Sequence, residues 1–218
     1  MKLPIPNREE AGRELAAALA SRPKGARPLV LALPRGGVPV AAPVAERLGA
    51  PLDLMVVRKL GFPGHEEFAM GAIASGGVRV MNDAMLRRQP VSPQSIEEVA
   101  RTELTELERR ERTYRGDRPA PEINGRDVIL VDDGLATGAT MRAAIQACRE
   151  QDAASVCVAI PVAPVDTVER LRKEADDVVC LATPEPFTAI GEWYREFGQT
   201  DDDEVRQLLA AAWRREAE

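Results

Sequence analysis

The chain has 218 residues and a formal net charge of −6, with a sequence pI of about 5.1. That length supports one substantial core, and the acidic balance argues against a general nucleic-acid binder. No apolar run nears the roughly 18 residues a membrane span needs, and the polar start MKLPIPNREEAGREL holds no signal-peptide apolar core.

Asn7 and Glu10 form a capping-box pattern, after which Ala11, Leu15, Ala18 and Leu19 share one helical face. PLVLALP (28–34) reads as a short apolar strand. Residues 38–49 read as a helix ended by Gly49, with Pro39 tolerable in the first turn and Pro43 working against it. PLDLMVV (51–57) is the next strand. Residues 58–77 contain five glycines and the only histidine, and read as a long loop with room for one strand.

Residues 93–115 form a charged helix with a thin apolar stripe of Ile96, Val99, Leu104 and Leu107. Three continuous apolar strands follow, 127–131, 155–160 and 177–182, of the kind buried on both faces. Helices over 138–150 and 165–175 separate them, and a terminal helix covers 202–216. This rhythm predicts an α/β fold, a parallel sheet flanked by helices, in a single domain with its core at about 28–182. Cys157 and Cys180 fall in apolar runs, and no two of the three cysteines have CxxC spacing. Core thiols and a cytoplasmic protein without disulfides are expected.

In such sheets ligands bind beyond the carboxyl ends of the strands. At that edge VILVDDGLATGATMRAAI (128–145) runs from four apolar residues into Asp132 and Asp133, then through a small-residue loop into a helix. Loop amides and the helix N-terminus make an anion cradle, and Thr137 and Thr140 add hydroxyls. The carboxylates suit vicinal hydroxyls instead. A sugar phosphate satisfies both halves. The strand and acid pair alone would also fit a Walker B element, but the chain has no G-x-x-x-x-G-K-[ST] loop and no Rossmann G-x-G-x-x-G.

The stretch VILVDDGLATGAT resembles the phosphoribosyl pyrophosphate (PRPP) motif of type I phosphoribosyltransferases. The resemblance implies that Asp132 and Asp133 bind the ribose hydroxyls, and that Ala136, Thr137, Gly138, Ala139 and Thr140 bind the 5-phosphate. LALPRGGVPVA (31–41) resembles the family's pyrophosphate loop, which assigns Arg35, Gly36 and Gly37 to the leaving group. Residues 58–77 stand where the family has a mobile catalytic loop, with Arg58 and Lys59 at its base; His65, Glu66 and Glu67 carry a weaker signal there. Phe187, Trp193 and Tyr194, with Phe197, resemble a hood that stacks on the acceptor, although packing of the terminal helix would also explain them. The 93–115 helix is the least family-like segment.

What the resemblance implies is an enzyme using PRPP, with Mg²⁺ bound mainly through PRPP, and a small aromatic acceptor. It leaves room for a homodimer, and neither nucleic acid nor membrane is an expected partner. Ala136 stands where hypoxanthine-guanine enzymes carry an acid, which disfavours an oxopurine held in that mode. The alternative is a non-catalytic PRPP- or nucleotide-sensing regulator on the same fold, with the 93–115 helix as its docking surface.

Overall fold

The computed structural model describes residues 2–22 and 26–217; the side chains of Glu66 and Glu67 lie outside the described ones. Five parallel strands form the central sheet: β1 (Pro28–Ala32), β2 (Leu52–Leu54), β6 (Asp127–Val131), β7 (Ser155–Val162) and β8 (Asp177–Ala182). Their order is β2-β1-β6-β7-β8. The side chains alternate between two buried faces, as a period of two requires. Val30 and Ala32 enter one core with α1 (Arg8–Ala20), α2 (Gly37–Leu48) and α7 (Asp202–Ala217). Leu29, Leu31 and Leu33 enter the other, with α5 (Ala139–Glu150) and α6 (Val165–Leu171). Each such aliphatic side chain contributes about 1.5–3 kcal/mol when fully buried.

From β1 the chain crosses through α2 to β2 on one side, whereas β6 pairs with β1 on the other and leads away to β7 and β8. The order therefore reverses between β1 and β6. From there the chain after β1 turns to α2 on one face and the chain after β6 to α5 on the other, and ligands of such sheets bind at the carboxyl ends where the order reverses.

The segment 58–77 is corrected. It forms a hairpin of β3 (Val57–Phe62) and β4 (His65–Ala74), which joins β5 (Val78–Met81) in a second, antiparallel sheet. Two of the five glycines serve the sheet: Gly61 lies at a register shift, and a Cβ on Gly71 would sit 2.5 Å from the Val80 carbonyl oxygen; Gly64, Gly76 and Gly77 make the turns between strands at positive φ. A short helix, α3 (Asp83–Arg88), follows.

Helix α4 (Pro93–Arg115) then packs against β3, with Ala100 and Leu107 inward. Ser92 caps it by accepting from the Ser95 amide. Helix α6 stops four residues before the expected end, because the amides of Lys173 and Glu174 bond three residues back and tighten the last turn. The other elements lie within a few residues of expectation.

Candidate active site

The crevice is built by two loops that touch. After β1, the chain turns through Pro34-Arg35-Gly36-Gly37 into α2, and the Gly37 amide donates to the Leu33 carbonyl at 3.0 Å. The Pro34–Arg35 peptide is cis. A Cβ on Gly36 would lie 2.1 Å from Asp133 Oδ2, and one on Gly37 would lie 2.6 Å from the Val131 carbonyl oxygen. Only glycine lets the backbone pass this close to the acid pair.

After β6, Asp132 Oδ1 accepts from the Asp133 amide at 2.8 Å. Asp133 is buried, whereas Asp132 keeps some exposed surface. Burial, and then repulsion from Asp133, hold the Asp132 carboxyl well above the usual carboxylate range. Burial also raises Asp133, with the Arg8 guanidinium acting against it.

The loop from Gly134 to Gly138 is held through the Leu135 amide and the Ala136 and Gly138 carbonyls. The Leu135 amide donates to Val162 at 3.0 Å, and the Thr167 hydroxyl of α6 donates to the Ala136 carbonyl at 2.7 Å. Gly138 takes φ +72° to start α5, a conformation side chains rarely adopt. Among the described residues no hydrogen bond engages the amides of Ala136, Thr137 or Gly138. Ala136, Thr137, Ala139 and Thr140 are exposed. Free amides and the positive end of α5 thus meet at one concave turn, suited to a phosphate.

Arg35 stands at the mouth, 3.7 Å from Asp202 Oδ1 at the start of α7. The same Asp202 oxygen accepts from the Tyr114 hydroxyl at 2.9 Å. Arg58 is committed elsewhere, donating through Nε to Glu103 of α4 at 2.7 Å. Lys59 is exposed and shares a cleft of about 760 Å³ with Thr140, between the hairpin and α4.

The hood has two parts, and one of them was not read from sequence. The segment from Leu3 to Pro6 lies along residues 193–196, with Ile5 donating to the Trp193 carbonyl and accepting from the Arg195 amide, both at 2.8 Å. Tyr194 is buried beneath them, stacked on Phe197 with ring centroids 4.9 Å apart. Its hydroxyl donates to the Asp133 carbonyl at 2.6 Å. Tyr194 therefore works as packing and support, with no open face for stacking. Phe187 and Trp193 are half-buried with centroids 6.1 Å apart, and the Trp193 indole N–H is buried without a partner.

Sequence reasoning passed over Arg8, Tyr114, Thr167 and Asp202. Arg8 Nε donates to Asp133 Oδ2 at 2.8 Å. No motif marks it, because its partner lies 125 positions away. Cys148 is a core thiol, whereas Cys157 and Cys180 are half-buried against the core; burial pushes Cys148 up to about 12 and Cys157 to about 11, so neither is a ready nucleophile. Among the described residues no helix is long and apolar enough to cross a membrane.

Comparison with known proteins agrees with this geometry. Two Mycobacterium tuberculosis proteins, from strains CDC 1551 and H37Rv, carry the provisional name phosphoribosyl transferase and are each 49% identical over all 218 residues. The chain spans about half the length of these relatives, 49% of each. The crystal structure of TT1426 from Thermus thermophilus is similar at 43% identity and a TM-score of 0.85, over 95% of this chain and 98% of that one. The family description "phosphoribosyl transferase domain" matches residues 3–195, and the chain belongs to that family.

Proposed function

We propose that the chain binds PRPP across the β1/β6 edge and transfers its ribose 5-phosphate to a nitrogenous, small aromatic acceptor. One observation carries this: the acid pair and the unengaged amides of residues 136–138 lie on one loop, against the glycine turn of the β1 loop. Hydroxyl acceptors and a phosphate cradle side by side suit a ribose 5-phosphate, and Arg35, on the adjoining β1 loop, is the residue we assign to the leaving pyrophosphate.

In the transfer, the bond from C1 to the pyrophosphate oxygen breaks and its electron pair leaves with that oxygen. The acceptor nitrogen's lone pair forms the new bond to C1, and the nitrogen's proton passes to water. Arg35 and the loop amides stabilise charge that grows on the phosphates. Phe187 and Trp193 are the aromatic faces left to meet an acceptor, and Lys59 approaches from the hairpin side.

Among the described residues no three His, Cys, Asp or Glu side chains are grouped to cage a metal. A Mg²⁺ would come with PRPP and be held mainly through it. When bound it would neutralise the leaving group. The exposed Ala136 offers no carboxylate to an oxopurine ring.

The test is calorimetry with PRPP and Mg²⁺, followed by pyrophosphate release with a panel of nitrogen bases. Asp132→Asn should fold and bind PRPP about ten- to a hundredfold more weakly, the effect of losing a charge-assisted hydrogen bond. Unchanged affinity in the folded variant would end the ribose assignment. Binding without pyrophosphate release with any base would favour a sensor.

A further inference from the structure

The two acids of the pair are not equivalent. Asp133 is held at three points, its Oδ2, its amide and its carbonyl. Its Oδ2 accepts from Arg8 at 2.8 Å, with the two side chains only 12% and 13% exposed. Its amide donates to Asp132 and its carbonyl accepts from Tyr194. Gly36 presses so near that a Cβ would collide with the same Oδ2. Arg8 is equally fixed: its Nη1 donates to the Gly198 carbonyl at 2.6 Å, and its guanidinium lies 4.0 Å over the Phe197 ring. Asp132 differs. Among the described residues no guanidinium bonds its carboxylate, which is half-buried, accepts from its neighbour's amide and lies against the Asp133 carboxyl.

We propose that Arg8 is a positioning residue for the acid pair: it pins Asp133 as a joint between hood and sheet, leaving Asp132 as the carboxylate that meets the ligand. This rests on the PRPP reading of the edge and divides labour within it. A buried carboxylate stripped of its partner is strongly disfavoured, so without Arg8 the pair would take up protons or swing out of place.

The sign of the pH effect follows. The ionisable groups at the pair are Arg8 from α1 and Tyr194 from the hood. Arg35 in the β1 loop engages Asp202, while α2 offers Gly37 and β7 offers Val162 beside Gly134. Arg8 is the cation that lowers both carboxyls against burial. Removing it raises both, so ligand binding that needs a carboxylate fails at a higher pH.

The experiment uses the full chain with Arg8→Gln, Arg8→Lys and the double variant Arg8→Gln/Asp133→Asn. PRPP is titrated calorimetrically between about pH 5 and 8. Carboxyl titrations of the ligand-free protein are followed by carbon NMR. Arg8→Gln should weaken PRPP about ten- to a hundredfold near neutral pH and move the acid limb of binding to higher pH. Arg8→Lys should restore part of both, and it carries the test if Arg8→Gln does not fold. The double variant loses charge and counter-charge together and should recover to within about tenfold of wild type.

An unmoved acid limb in Arg8→Gln overturns the proposal, and so does parallel loss of affinity and melting temperature with no limb shift. A double variant as weak as Arg8→Gln overturns the division of labour. If wild type does not bind PRPP while the ligand-free titrations still rise in Arg8→Gln, the proposed function fails and the Arg8–Asp133 joint stands.

Discussion

The loop that carries Asp132 and the lobe that carries Lys59 share a cleft through Thr140, but different forces shape its two sides. On the sheet side, position is set by shape. Aliphatic strands are buried on both faces, and two glycines let backbones approach within van der Waals contact of the acids. On the lobe side, an apolar core of Leu60, Phe62, Met70 and Ile73 is supplemented by ion pairs that reach between elements. Arg58 of β3 pairs with Glu103 and Arg79 of β5 with Glu97, tying the antiparallel sheet to α4. Arg115 at the end of α4 reaches back to Asp53 of β2 at 2.6 Å and to Glu111 at 2.8 Å. The same helix that fixes the hairpin is thus anchored to the central sheet by an ion pair. A methyl group is the reagent that disturbs one side, and loss of a charge is the reagent that disturbs the other.

The largest effect should come from Arg115→Met. Arg115 and Asp53 are each about 4% exposed, and stranding one partner of a buried pair costs about 3–5 kcal/mol. Urea unfolding would show it as a lower midpoint. A loss below about 1 kcal/mol would put this pair with the surface pairs and break the contrast. Burial already pushes the Asp53 carboxyl up, with Arg115 opposing. In the variant, with that opposition gone, Asp53 holds its proton to higher pH. A folded pKa raised above the unfolded one makes stability fall as pH rises through that window, so Arg115→Met should lose more at pH 8 than at pH 5.

Gly36→Ala comes next, at about 1–3 kcal/mol of overpacking. Its new methyl would meet Asp133, so PRPP binding should suffer with stability; calorimetry beside thermal melting reads both. A fully stable variant with intact binding would show that the glycine turn has room to spare.

The smallest effect belongs to Glu103→Gln. Its partner Arg58 is 28% exposed and Glu103 22%, a partly solvated pair worth about 0–1 kcal/mol. Melting should barely move. A large drop would mean that the hairpin depends on this single strap.

The same contrast decided what could be read from sequence. Continuous apolar strands alternating with helices carry their own period, so the parallel sheet and its edge were legible, and the motif from Val128 to Thr140 lies on the loop and helix start expected for it. The hairpin was not, because β3 and β4 hold glycines where the sheet shifts register or packs closely, and those mimic loop signals. Helix α4 was legible as a helix, but its ties to β2 and the hairpin were not, since an Arg–Asp pair separated by 62 positions leaves no local pattern. Tyr194 had an aromatic signal without a direction. Only the coordinates turn its ring inward and its hydroxyl onto Asp133.

The hood joins residues far apart in the chain: Arg8 bonds Gly198, 190 positions on. In kinetic terms that is a contact closed late. The entropy of so long a loop must be overcome before the contact repays it, and local helices and neighbouring strands form sooner. A chain emerging from the ribosome can thus build β1, α2, β6 and α5 while Tyr194 and Gly198 are still unmade. It would have Arg8, the 134–138 loop and both acids, but neither the Gly198 carbonyl and Phe197 ring that fix Arg8 nor the Tyr194 hydroxyl that bonds the Asp133 carbonyl. The supports of the acid pair would then close in one final docking event, and a nascent chain stalled before residue 194 should lack them despite a nearly complete sheet.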